Sequence, residues 1–312
     1  MRLDTVKVLG ISITKNSKKE ILEFLQKYLE KGSRVKGQGS GKTVKSLVIV
    51  TPNPEQIVYA KRDPHFAEIL NQADVALPDG SGVVWASRQL SPKPLGGAIP
   101  GIEFMEELVN WASDQHVPVA LIGSWGGLAV KALDCLRKKH PDLVGWAEDG
   151  PDIEINGEDL RFKIEDLRIR KRSIPKSLIL NPTSIEEDYF EKLAVRVKET
   201  GVKIVFIGLG APKQEYFIEN LGDSVKRLAK KQKIQTEPYT LHALPSMIFM
   251  SVGGSFDEIG GRISRAPKWV SHLGFKWAWR LVLQPWRIKR QLSLLTFVQL
   301  VLREKFTQPF HR

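Results

Sequence analysis

Short apolar runs recur along the chain, each closed by turn-forming residues and followed by a stretch of helical spacing. Ser46–Val50 (SLVIV) ends at Thr51-Pro52-Asn53 and leads into a helical pattern reaching Leu70. Ala73–Leu77 (ADVAL) ends at Pro78-Asp79-Gly80, and Val117–Ile122 (VPVALI) ends at GSWGG before the helical AVKALDCLRKK. Val202–Ile207 (VKIVFI) ends at GLGAPKQE, and Met247–Val252 (MIFMSV) ends at GGSFD. Unbroken apolar runs suit strands covered on both faces better than strands with one wet face. Their alternation with helices predicts the α/β class: a Rossmann-like, doubly wound, mostly parallel sheet. Ligands of such sheets sit beyond the carboxyl ends of the strands. Those ends carry Gly, Asn, Asp and Gln here, so the site is expected among them.

Three stretches interrupt the pattern. Residues 32–45 (GSRVKGQGSGKTVK) read as a surface loop. Their GQGSGKT misses the P-loop spacing, because Lys36 stands where the first glycine belongs, and the segment precedes a strand instead of joining strand to helix. Asp149–Pro175 is charge-rich and reads as an elaborated connection, and Ser224–Pro245, with KRLAKKQK, as a solvated insertion. A catalytic α/β domain is therefore expected over 1–258, with insertions near 32–45, 149–175 and 224–245. From residue 259 the character changes. Eleven Lys and Arg residues stand against the single acid Glu304, and Trp269, Trp277, Trp279 and Trp286 fall in the same stretch. Residues 259–312 are expected to form a basic, amphipathic, helical C-terminal appendage.

Composition narrows the partners. Of 312 residues, 42% are hydrophobic and 26% charged, ordinary values for a chain that buries a core. The net charge of +12 is not ordinary and calls for a polyanionic partner: nucleic acid, an anionic membrane surface or a pyrophosphate-bearing substrate. Cys135 is the only cysteine, which excludes an intrachain disulfide and fits a reducing cytoplasm. The first 30 residues hold no signal-peptide core, and no run of 18 apolar residues occurs, so a membrane contact would lie on the bilayer surface. There is no Asp-x-Asp pair and no His/Cys cluster at metal spacing, so neither a metal nor a cofactor is expected.

Five segments in this order, TPNPEQIVYA, ADVALPDGSGVVWASR, GLGAPKQE, GGSFDEIGGRISRAPKW and WRLVLQPWRIKRQ, resemble the WecG/TagA/CpsF glycosyltransferase family over most of the chain. The resemblance implies an inverting, metal-independent hexosaminyl transfer in the synthesis of bacterial surface polymers such as teichoic acid linkage units and exopolysaccharide. N-Acetylmannosamine, or its uronic acid, would pass from UDP to an undecaprenyl-pyrophosphate-linked N-acetylglucosamine. It also implies self-association and a peripheral position on the inner face of the bacterial plasma membrane.

Matched residue by residue, the resemblance makes Asp79 the catalytic base. An inverting transfer needs one group to take the acceptor's hydroxyl proton, and a carboxylate at a strand end can do so. Without the family, Asp79 reads first as a turn residue capping a helix that begins near Gly82, and only second as a base. Thr51 and Asn53 match pocket residues, and their local alternative is turn and N-cap chemistry. Gln214 falls at a donor-site glutamine. Gly208 and Gly210 would let backbone N–H groups approach the donor, although Lys213 breaks the dinucleotide fingerprint. Gly123, Gly126 and Gly127 open a helix, a favourable place for the pyrophosphate of UDP, and equally an ordinary strand-to-helix turn. Arg265, Arg280, Arg287 and Arg290 match tail arginines that would contact lipid pyrophosphate or the membrane. One departure stands out: Ala98 occupies a position where family members usually carry arginine.

Other function classes fit less well. An epimerase or dehydrogenase would need a dinucleotide fingerprint or a Tyr/Lys pair on one helix. A nucleic-acid-binding protein would need basic residues interleaved with aromatics along a groove, which only the tail approaches, so no nucleic-acid partner is expected. The remaining alternative is a weakened homologue that binds nucleotide sugar or lipid intermediate without efficient transfer, suggested by Ala98.

Overall fold

The computed structural model describes residues 3–34, 46–151, 187–235, 246–267, 270, 276–284 and 288–307. The chain opens with an antiparallel hairpin, β1 (Thr5–Val8) and β2 (Ile11–Thr14), followed by α1 (Lys18–Arg34). Then come β3 (Leu47–Val50), α2 (Pro54–Ala60), α3 (Pro64–Gln72), β4 (Val75–Ala76), α4 (Ser81–Leu90), α5 (Gly101–Asp114), β5 (Val119–Gly123), α6 (Leu128–Lys139) and β6 (Gly145–Glu148). The described remainder holds α7 (Glu187–Glu199), β7 (Ile204–Gly208), α8 (Lys213–Gln235), β8 (Ile248–Ser251), α9 (Ser255–Ile259), α10 (Lys276–Leu283) and α11 (Ile288–Thr307).

Six strands form one parallel sheet in the order β4-β3-β8-β7-β5-β6. The apolar runs are explained by burial on both faces. Along β5, Ala120 and Ile122 enter one core cluster while Val119 and Leu121 enter the other, and Ile204–Ile207 of β7 alternate in the same way. The first cluster also draws on the hairpin and on α2, α3, α4, α7, α8 and α11; the second draws on α1, α5, α6 and α9. This is the doubly wound three-layer arrangement, and the five expected strands all occur within a few residues of their sequence limits.

Several elements go beyond the sequence reading. The helical pattern after Asn53 is two helices, not one, because Asp63 caps α3 through a 3.0 Å bond from the Phe66 N–H. The hairpin and β6 were not anticipated. The basic stretch beginning at Ser224 continues α8 to Gln235 instead of leaving the fold, and Ser224 and Val225 are buried; residues 236–245 lie outside the described residues. The same is true of 35–45 and 152–186, which hold most of the other two expected insertions.

The last helix is docked on the sheet domain. Helix α11 packs against α2 and α4, and its Phe297 and Val301 are completely buried in the first core cluster. The opposite side of α11 leaves Leu292, Leu295, Leu302 and Phe306 exposed. Among the described residues no helix is long and apolar enough to cross a membrane.

Candidate active site

The carboxyl ends of β4, β3, β8, β7 and β5 lie side by side in that order, so every strand-end motif of the sequence meets on one edge of the sheet. At one end of this row, the loops after β3 and β4 run together. Leu77 N–H donates to Val50 carbonyl at 2.8 Å, Asp79 N–H to Pro52 carbonyl at 3.2 Å, and Ile99 N–H to Pro78 carbonyl at 2.8 Å. These bonds bring Thr51, Asn53 and Asp79 together, with exposed Ala98 one residue from the last of them. Thr51 is buried and backs onto the start of α5: a Cβ at Gly101 would come within 3.0 Å of its Cγ2.

Asp79 is half-buried, and the N-cap position of α4 is taken by Gly80, at φ 91°, which has no side chain to offer the helix. Asn53, in contrast, does cap. Its Oδ1 accepts from Gln56 N–H at 3.0 Å, and Gln56 Oε1 accepts from Asn53 N–H at 3.2 Å, a reciprocal capping box at the start of α2.

The centre of the row is held by a polar network that the sequence reading missed. Gln214 is buried, with its Oε1 accepting from Gly253 N–H after β8 at 2.8 Å and its Nε2 donating to Glu215 Oε1 at 2.8 Å. The same Glu215 oxygen receives Gln56 Nε2 at 3.4 Å. Glu215 is completely buried. Burial pushes its carboxyl up to about 7, while the bond from Gln214, its own backbone and the nearness of Ser251 pull the other way. Glu215 Oε2 and Ser251 Oγ nevertheless close no hydrogen bond. The capping-box spacing from Asn53 to Gln56 was a legible signal for one arm of this network; nothing local marked Glu215.

Gly208 and Gly123 pair across β7 and β5, and their lack of side chains has a packing reason. A Cβ on Gly123 would meet the Gly208 backbone at 2.6 Å, and one on Gly208 would meet the Phe256 ring at 2.6 Å. Gly210, Gly126 and Gly127 face open space instead. Gly127, at φ 75°, starts α6, and its N–H is held by both oxygens of Asp149, at 3.1 and 2.9 Å. A carboxylate at this helix N-terminus occupies the kind of position that suits an anion. Beside it, Trp125 is 69% exposed, with the Arg262 guanidinium 4.8 Å from its ring centre.

Of the four tail arginines, Arg265 is described in full. It makes a two-pronged pair with Glu106 on α5, at 3.0 and 2.8 Å. Burial would raise the Glu106 carboxyl, but Arg265 and Lys139 outweigh it and hold the group below its ordinary range. Arg280 lies on α10 and Arg290 on α11, while Arg287 lies outside the described residues. Among the described residues, no three His, Cys, Asp or Glu side chains are grouped to hold a metal ion.

Half-buried Asp79 and buried Thr51 thus lie with Asn53 on the strand-end edge where doubly wound sheets bind their ligands. The chain is 28% identical over 258 residues to the N-acetylglucosaminyldiphosphoundecaprenol N-acetyl-beta-D-mannosaminyltransferase of Bacillus subtilis (strain 168), covering 83% of this chain and 80% of that relative. Residues 6–310 match the glycosyl transferase WecG/TagA/CpsF family, and the chain belongs to that family of glycosyltransferases.

Proposed function

We propose that this glycosyltransferase moves an N-acetylhexosamine, N-acetylmannosamine or its uronic acid, from UDP to an undecaprenyl-pyrophosphate-linked N-acetylglucosamine, with inversion at the anomeric carbon. The name of the Bacillus subtilis relative supports the acceptor and the mannosaminyl group. The observation that carries the reading is the joining of Asp79 to the Thr51–Asn53 loop by its backbone bond to Pro52. In the step, the acceptor hydroxyl oxygen bonds to the anomeric carbon as the bond from that carbon to the UDP oxygen breaks. UDP leaves with the electron pair, and the Asp79 carboxylate takes the hydroxyl proton. Thr51 and Asn53 orient the sugar, Gln214 fixes the donor side of the pocket, and the open turns at Gly210 and Gly126 face the diphosphate; Gly127 would join them only by release of its N–H from Asp149.

The acceptor's lipid brings the enzyme to an anionic membrane surface, on the cytoplasmic side where nucleotide sugars are available. Leu292, Leu295, Leu302 and Phe306 form an exposed stripe at helical spacing on α11, with Arg303 exposed beside it, which suits an interfacial helix. Arg280, Arg287 and Arg290 belong to the same basic tail and would meet the lipid pyrophosphate. Arg265 would join them only by leaving Glu106.

The test is acceptor-dependent UDP release from UDP-N-acetylmannosamine and a short-chain lipid-pyrophosphate-N-acetylglucosamine in EDTA, with Asp79→Asn alongside. We expect release by the natural chain and a drop of about 10²–10⁴-fold in the variant, the range for loss of a general base. Binding of the lipid intermediate without release from any UDP-hexosamine would overturn the reading.

A further inference from the structure

A completely buried carboxyl group in the first turn of a helix needs an explanation. Acids there ordinarily face water and favour the helix dipole from outside. Glu215 instead points into the protein, beneath the strand-end row, where charge is costly unless paired. Its partners are two amides from the first turns of two different helices. Gln214 Nε2, at the start of α8, and Gln56 Nε2, at the start of α2, both donate to Oε1. Through Gln214 Oε1 the network reaches Gly253 N–H after β8, and through Gln56 it reaches the capping box of Asn53. One carboxyl oxygen therefore ties together the loops that follow three adjacent strands.

We infer that Glu215 is a positioning residue for the transfer reaction, fixing the Gln214 amide and the Asn53–Gln56 turn at the separation the sugar pocket requires. An amide can flip or rotate about its last torsion unless both ends are held. Gln214 is held at both ends: its oxygen by Gly253, its nitrogen by Glu215. Removing the carboxyl frees the nitrogen end and releases Gln56 from the same anchor. Small displacements of groups around a reacting centre reduce rate far more than they reduce stability. The elevated proton affinity of the buried carboxyl is consistent with this task, because a neutral acid accepts both amide bonds without leaving an unpaired charge in the core.

The inference rests on the transferase reading above, so natural-chain UDP release is measured first; its absence would count against that reading and not against this one. With active enzyme in hand, Glu215→Leu, Glu215→Gln, Gln214→Ala and the Gln214→Ala/Glu215→Leu pair are compared for kcat, KM and melting temperature. Glu215→Gln keeps a carbonyl acceptor of the same shape and should retain kcat/KM within about threefold. Glu215→Leu should lose about ten- to a hundredfold, the size expected when buried amides lose their acceptor. The double variant should lose clearly less than the product of the two single losses, because Glu215 acts in part through that amide and in part through Gln56. If Glu215→Leu is poorly folded, Glu215→Met takes its place in the cycle. A Leu or Met variant with natural kcat/KM, or single effects that multiply in the double variant, would overturn the inference.

Discussion

Phe297→Ala tests whether the basic tail is part of the folded body. Phe297 is completely buried on the inner side of α11, between α2 and α4, together with Val301. Truncating a fully buried phenylalanine removes its transfer free energy and leaves a cavity, about 3–5 kcal/mol in all. For a chain of this size that is a fall in melting temperature of roughly 5–8 °C. If α11 lets go as a unit, the loss is capped at its docking free energy, and the released helix becomes a protease substrate. Both outcomes are read from one preparation: a thermal melt, and the rate at which trypsin cuts at Lys289, Arg290, Arg303 and Lys305 without vesicles. Leu295→Ala is the control, because Leu295 is 63% exposed on the other side of the same helix and should shift stability by less than about 0.5 kcal/mol. We expect faster tail cleavage, a lower melting temperature, or both, in the Phe297 variant only. If the two variants match in melt and cleavage, the docking of α11 is not a feature of the protein in solution.

Two further outcomes follow from the site. Gly101→Ala places a methyl about 3 Å from Thr51 Cγ2, yet it replaces glycine in the first turn of α5, where alanine is favoured by roughly 0.5–1 kcal/mol. The melting temperature should hold while kcat/KM falls about tenfold; unchanged kcat/KM would show that Thr51 tolerates displacement. The second concerns pH. Glu215 holds its proton up to about pH 7 in the folded chain, against an ordinary value of 4.5, so the folded state binds that proton more tightly than the unfolded one. The stability it confers is full below pH 4.5 and is lost as pH rises from 4.5 to 7, by about 3 kcal/mol in all. Glu215→Gln cannot ionise, so denaturant melts should show its stability gaining on the natural chain between pH 5 and 8; a constant difference would refute the assignment.

The strands that define the fold were legible because each is a short apolar run with both faces buried, and a run such as IVFIG admits few other readings. The hairpin was not, because Thr5 and Lys7 alternate with Val6 and Val8, and four residues are too few to fix a period. Strand β6 escaped for a related reason: GWAE is an edge strand, half-buried throughout, with little apolar signal. In α11 the helix was legible and the facing of its apolar residues was not. Leu, Phe and Val recur along the helix, and only the packing shows that Phe297 and Val301 turn inward while Leu295 and Phe306 turn outward. The strand-end loops were visible as turn motifs, but Glu215 was not. A glutamate at the start of a helix is the commonplace surface residue, and its burial is decided by β8, which lies more than thirty residues downstream.

The same network bears on what the pocket can offer a sugar. A side-chain amide has two donor hydrogens and one accepting oxygen. Asn53 gives its oxygen to the Gln56 N–H, and Gln214 gives its oxygen to Gly253 and one hydrogen to Glu215. The hydrogens left to give are the two of Asn53 and the second of Gln214, against one remaining lone pair on each amide oxygen. With the Thr51 hydroxyl able to serve either way, the uncharged side chains of the proposed pocket have more hydrogens to give than lone pairs to offer. Donors suit the carbonyl of an N-acetyl group and the oxygens of a diphosphate, while the proposed base, Asp79, would serve the one hydroxyl that must lose its proton. A buried acid that consumes amide hydrogens therefore shapes recognition as well as geometry, by deciding which hydrogens remain to be given.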